Sequence, residues 1–140
     1  MRPLAAALLL GLAAGGAAGA RTLAGPELDY VLQCMGCHLE DGSGAPGHGV
    51  PSLVGVGRFL RAPGGRAYLV RVPGVAHAPL DDAALAALLN WMLARFDPET
   101  AGAPDFVPYE ADEVARLRAE PLLDAAAQRR ALLEALAAPR

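Results

Sequence analysis

Cys34-Met35-Gly36-Cys37-His38 contains both cysteines of the 140-residue chain and one of its three histidines. Two thiols separated by two residues, with an imidazole directly after, form the attachment signature of c-type haem. Each thiol adds across one vinyl group of the porphyrin, and His38 then lies under the iron as an axial ligand. Other uses of the pair fit less well. A structural disulfide suits an exported chain, but cysteines at this spacing are usually redox-active. A thioredoxin-like site needs a βαβ setting, and no strand alternation of useful length occurs anywhere. A zinc site needs four ligands, commonly two such pairs, and only one exists.

Upstream, Pro26 to Gln33 reads as a short helix. Proline stands at its first position, Glu27 and Asp29 suit its positive end, and Leu28, Val31 and Leu32 share a face. Residues 1–20 read as a secretory signal: Arg2 starts it, Leu4 to Ala14 is apolar, and Ala18-Gly19-Ala20 supplies small residues for cleavage. The glycines at 11, 15, 16 and 19 make this a poor spanning helix, so no stable membrane span is expected after cleavage. The compartment expected is a bacterial periplasm.

Downstream, residues 39–65 are rich in Gly and Pro and read as loop. Arg66 to Val72 reads as a helical turn or two, stopped by Pro73-Gly74. The strongest helix starts after Asp81, a natural N-cap. Leu85, Leu88, Leu89, Met92 and Phe96 form its apolar stripe, which ends near Asp97-Pro98. Residues 97–108 read as a linker or wrapped loop, and Glu110 to Arg118 and Leu122 to Ala137 as helices. Helices of this length are marginal alone, so they are expected to pack on the rest of the chain or on a partner.

Hydrophobic residues make up 54% of the chain, too many for disorder, and a formal charge of −3 argues against a nucleic-acid partner. Aromatics are only 5%, so a core of this size is short of large rings; a porphyrin face fills that place. No carboxylate pair, nucleophile–base pair or phosphate loop points to a hydrolase or transferase.

The stretch from Leu23 to Phe96 resembles the class I, mitochondrial-type cytochromes c. The resemblance rests on Cys34, Cys37 and His38, on Val50-Pro51-Ser52-Leu53, and on Leu80-Asp81-Asp82 through Asn90-Trp91-Met92-Leu93. It implies an all-α fold around one covalent haem c. It also implies that Pro51 offers its carbonyl to the axial imidazole and that Trp91 packs near Tyr30; an ordinary loop proline and a plain core tryptophan are the competing readings. The family's sixth ligand is a Met that would fall near Val75, and none stands there. His77 is the only strong iron ligand in Pro73 to Pro79, a loop expected to be extended, and so becomes the distal candidate. Met92 is the alternative, although its place on an apolar stripe suits core packing.

These readings lead to an expected organisation: signal at 1–20, cytochrome c domain at 21–96, linker and helical extension at 97–140. The expected function is electron carriage between periplasmic redox proteins rather than catalysis. Rival functions are a haem protein with an open sixth position, gas-binding or peroxidatic, and a haem subunit of a larger dehydrogenase. Arg58, Arg61, Arg66 and Arg71 read as a solvated face, a docking patch for an acidic partner, or a source of one contact to a haem propionate.

Overall fold

The computed structural model describes residues 23–138; the expected signal at 1–20 lies outside them. Among the described residues there are eight α-helices, two 3-10 turns and no strand, only an isolated bridge between Ala45 and Val50. The all-α expectation holds. Helix α1 spans Pro26–Gln33 and passes at Cys34 into the single turn α2, Met35–His38. Leu39 ends that turn at φ 58°, and its carbonyl accepts the Tyr30 hydroxyl at 2.6 Å.

Helix α3 is Gly65–Arg71 and α4 is Pro73–Ala76. The second is a correction: the extended loop expected from Pro73 to Pro79 begins as a helical turn. A proline at the first helical position lacks only an N–H that has no intrahelical partner there, so Pro73 starts a helix rather than preventing one. Helix α5, Asp82–Phe96, is capped by Asp81, whose carboxylate accepts the Ala84 N–H at 2.7 Å. It buries Leu85, Ala86, Leu88, Leu89, Met92, Leu93 and Phe96, a face broad enough to be packed from several sides. Short α6, Pro98–Ala101, interrupts the expected linker, with Asp97 as its cap.

Helices α7, Ala111–Arg118, and α8, Ala125–Ala137, are the last elements of the described residues. The second starts at Ala125 rather than Leu122 because the Asp124 side chain accepts from Ala127 N and sets the N-terminus there. Tyr109, Val114 and Leu132 are at most 3% exposed and belong to the same apolar cluster as Leu85, Leu89 and Leu93. The C-terminal segment thus packs on its own chain, against α3, α5 and the 3-10 turn Val56–Arg61. No described helix is long and apolar enough to cross a membrane.

Candidate functional site

The site is built where α1 meets α2. The cysteines sit on either side of the first residues of α2, at Cys34 and Cys37, and both are free thiols. Cys37 is exposed and Cys34 half-buried. Burial, then the nearby Asp29 and Cys37, pushes the Cys34 thiol up to about 11, because each disfavours the thiolate.

His38 closes the turn with its Nδ1 3.1 Å from the Pro51 carbonyl. A carbonyl can only accept, so Nδ1 carries the proton and Nε2 keeps its lone pair. Burial lowers the His38 pKa, opposed by the Pro51 bond; the imidazole is therefore neutral, the form that binds a metal. The loop between them is drawn tight to allow this. Leu53 N–H donates to the Gly42 carbonyl at 2.7 Å and Gly44 N–H to the His38 carbonyl at 3.2 Å. Gly44 has φ +71°, and a Cβ there would lie 2.6 Å from the Pro51 oxygen, so only glycine lets the two strands of the loop approach.

Behind the motif, Tyr30, Trp91 and Phe96 form an aromatic junction between α1 and α5. Tyr30 lies 5.3 Å from both other rings, and Trp91 meets Phe96 edge-on at 6.0 Å. The structure thus brings together Cys34, Cys37, His38 and Pro51 on one side and packs Trp91 against Tyr30 on α1, the helix that leads into the motif. His77, at the C-terminal end of α4, is exposed. Met92 is buried in the core at 8% exposure.

Two of the four arginines proposed as a patch are engaged within the chain. Arg66 forms a two-pronged pair with Glu113 at 2.6 and 2.7 Å, and Arg71 donates to the Glu120 carbonyl at 2.6 Å. Both reach the C-terminal segment. Arg58 is different: its Nε is buried with no hydrogen-bond partner. Sequence reasoning missed Arg118, which binds three backbone carbonyls just before α5. Its only signal was an arginine at a helix C-terminus, where the helix dipole alone is reason enough.

Among the described residues, a helical, strand-free fold that sets two free thiols and an oriented imidazole within five residues has the donor set of a haem-attachment protein. No family model matches the chain. It is similar to a cytochrome c-552 of Thermus thermophilus, 34% identical over 140 aligned positions that cover 86% of this chain and 88% of the relative. A second Thermus thermophilus cytochrome c-552 is 32% identical over 108 positions, 64% of this chain and 82% of that one. The chain belongs to the c-type cytochromes, electron carriers whose prosthetic group is covalently held haem c. A coverage of 86% is too large to be confined to residues 1–96, so the similarity extends into the C-terminal segment.

The donor set fits that group. Both thiols are unpaired, Cys37 exposed and Cys34 half-buried, the imidazole keeps Nε2 for a metal, and the unsatisfied Arg58 Nε suits an anionic substituent.

Proposed function

We propose that this chain is an exported, periplasmic monohaem cytochrome that passes single electrons between redox proteins. Residues 1–20 act as its signal, 21–96 as the haem domain and 97–140 as an extension packed on it. Cys34 and Cys37 hold the haem, His38 is the proximal ligand, and Pro51 fixes its tautomer and raises its basicity. Trp91 steadies the α1–α5 contact behind the motif, and Arg58 meets a propionate. When bound, the haem supplies the one-electron iron couple; the chain's part is to orient the imidazole and exclude water. The observation that carries the reading is the His38–Pro51 hydrogen bond beside two free thiols.

His77 is the proposed distal ligand if the chain supplies one, with Met92 as the alternative. The exposure of His77 favours a second reading, an iron whose sixth position is open to a small gas or peroxide. One preparation tests all of this. Expression in cells competent for cytochrome maturation should yield a polypeptide starting at Arg21 plus one haem by intact mass. A mass without haem would overturn the proposal. A low-spin ferric spectrum, indifferent to carbon monoxide on reduction, supports the carrier. A high-spin iron that binds carbon monoxide supports the open site.

A further inference from the structure

Arg118, at the end of α7, has a side chain only 17% exposed. All three of its nitrogens are committed to one segment 36 to 42 positions earlier in the chain. Nε donates to the Ala76 carbonyl at 3.0 Å, Nη2 to that of Ala78 at 2.6 Å, and Nη1 to that of Leu80 at 2.8 Å. Nη1 also reaches Asp82 Oδ1 at 3.2 Å, on the first turn of α5. A guanidinium is a rigid planar fork, so binding three carbonyls fixes three peptide units together, which a flexible point charge cannot do.

The register so fixed has a consequence for His77. Ala76 and Ala78 are buried while His77 and Pro79 are exposed. The carbonyls on Arg118 and the outward side chain of His77 belong to one conformation of the backbone. Carrying the imidazole to the opposite face of the segment turns the peptide between Ala76 and His77, which breaks the bond from Arg118 to the Ala76 carbonyl.

We propose that Arg118 is a positioning residue that governs the access of His77 to the haem iron. Latched, it holds residues 76–80 with His77 in solvent; released, it lets His77 form a dative bond to the iron. The inference rests on the reading above that this segment borders the sixth position. It adds that the C-terminal extension, through one side chain, sets the ligation state.

The test compares holoproteins of the wild type, Arg118→Ala, Arg118→Lys, His77→Ala and the Arg118→Ala/His77→Ala double variant. Their ferric spectra and carbon monoxide binding on reduction are read alongside intact mass and helix content. The ratio of low-spin to open iron should rise at least about tenfold in Arg118→Ala, the effect of losing one charge-assisted hydrogen bond. Arg118→Lys should lie between that variant and the wild type, and it serves as the test if Arg118→Ala does not fold. The double variant should return to the wild-type spectrum. An unchanged ratio in both Arg118 variants overturns the latch. So does a shift that persists without His77, or a wild-type spectrum that His77→Ala converts from low to high spin. Haem missing from the wild-type mass is a distinct result, which removes the cytochrome reading itself.

Discussion

Arg66 and Tyr109 hold each other in both directions. The Tyr109 hydroxyl donates to the Arg66 carbonyl at 2.9 Å, while the Arg66 guanidinium lies 4.0 Å over the Tyr109 ring. The same guanidinium reaches the carbonyls of Val107 and Pro108 and both carboxylate oxygens of Glu113. Asn90 on α5 completes the attachment by pairing with both the N–H and the carbonyl of Tyr109, at 2.8 and 3.0 Å. The segment leaving α6 is thereby fixed to α3 and α5 before α7 begins.

Arg66→Ala should therefore cost about 1.5–3 kcal/mol, the scale of hydrogen bonds to charged groups. Arg66→Lys should recover less than half of it, because an ammonium cannot make the fork to Glu113. Urea unfolding of the three proteins measures both. Equal stability of the Lys variant and the wild type would show that charge, not geometry, carries the contact.

The packing of α8 predicts a contrast between two leucines. Leu132 is 3% exposed and Leu123 is fully exposed. Leu132→Ala should destabilise by about 2–5 kcal/mol, and Leu123→Ala should stay within about 0.5 kcal/mol. If the two cost the same, α8 is not docked on the chain in solution.

Gly44 and Gly49 provide a matched pair in the loop from His38 to Pro51. Both have positive φ, +71° and +77°, but a Cβ at Gly44 meets the Pro51 oxygen while one at Gly49 meets nothing. Each alanine should cost about 1 kcal/mol for the left-handed backbone. Gly44→Ala should cost more and also shift the reduction potential of the holoprotein, since it displaces the carbonyl that accepts from His38. A potential unchanged in both variants would separate that carbonyl from control of the iron.

Alkaline stability should report Tyr30. Burial, and then the negative charge of Cys34 and Asp41, pushes its hydroxyl up to about 12 from 10.0, and the bond to the Leu39 carbonyl uses its proton. Between those pH values the unfolded chain has lost the proton and the folded chain keeps it. The Tyr30 contribution is thus complete below pH 10 and declines as pH rises toward 12. In Tyr30→Phe the loss of stability over that window should be shallower, measured by urea unfolding at stepped pH.

Before haem is attached, the two thiols should differ in reactivity. Alkylation proceeds through the thiolate, and a pKa of about 11 leaves Cys34 mostly protonated at pH 8 in a half-buried setting. Cys37 is exposed. In the haem-free protein iodoacetamide should label Cys37 first, as peptide mapping after a short exposure can show. Faster labelling of Cys34 would contradict the site geometry.

Elements with a local signature were legible from the residues alone. Helix α5 declared itself through its apolar spacing and the Asp81 cap, α1 through Pro26 and its early acids, and the attachment motif through five consecutive residues. Each of these depends on interactions within about one or two helical turns, which a linear pattern records directly. The meeting of Tyr30 with Trp91 was anticipated too, but only through likeness to a family, since nothing local pairs α1 with α5.

Long-range assignments belonged to the tertiary structure. Arg66 and Arg71 looked like surface charge because their partners, Glu113 and Glu120, stand more than forty positions away. Pro73 looked like a helix stop because a proline that ends one helix and a proline that starts the next are the same residue in sequence. His77 could be named as the one residue of ligand type in its loop, yet its exposure, and the hold of Arg118 on the carbonyls of Ala76 and Ala78 beside it, come from packing against another helix. Residue type and spacing determined which chemistry the chain can carry. Which charges are paired, and which side chains are buried, was decided by contacts between distant segments that only the packed chain brings within reach.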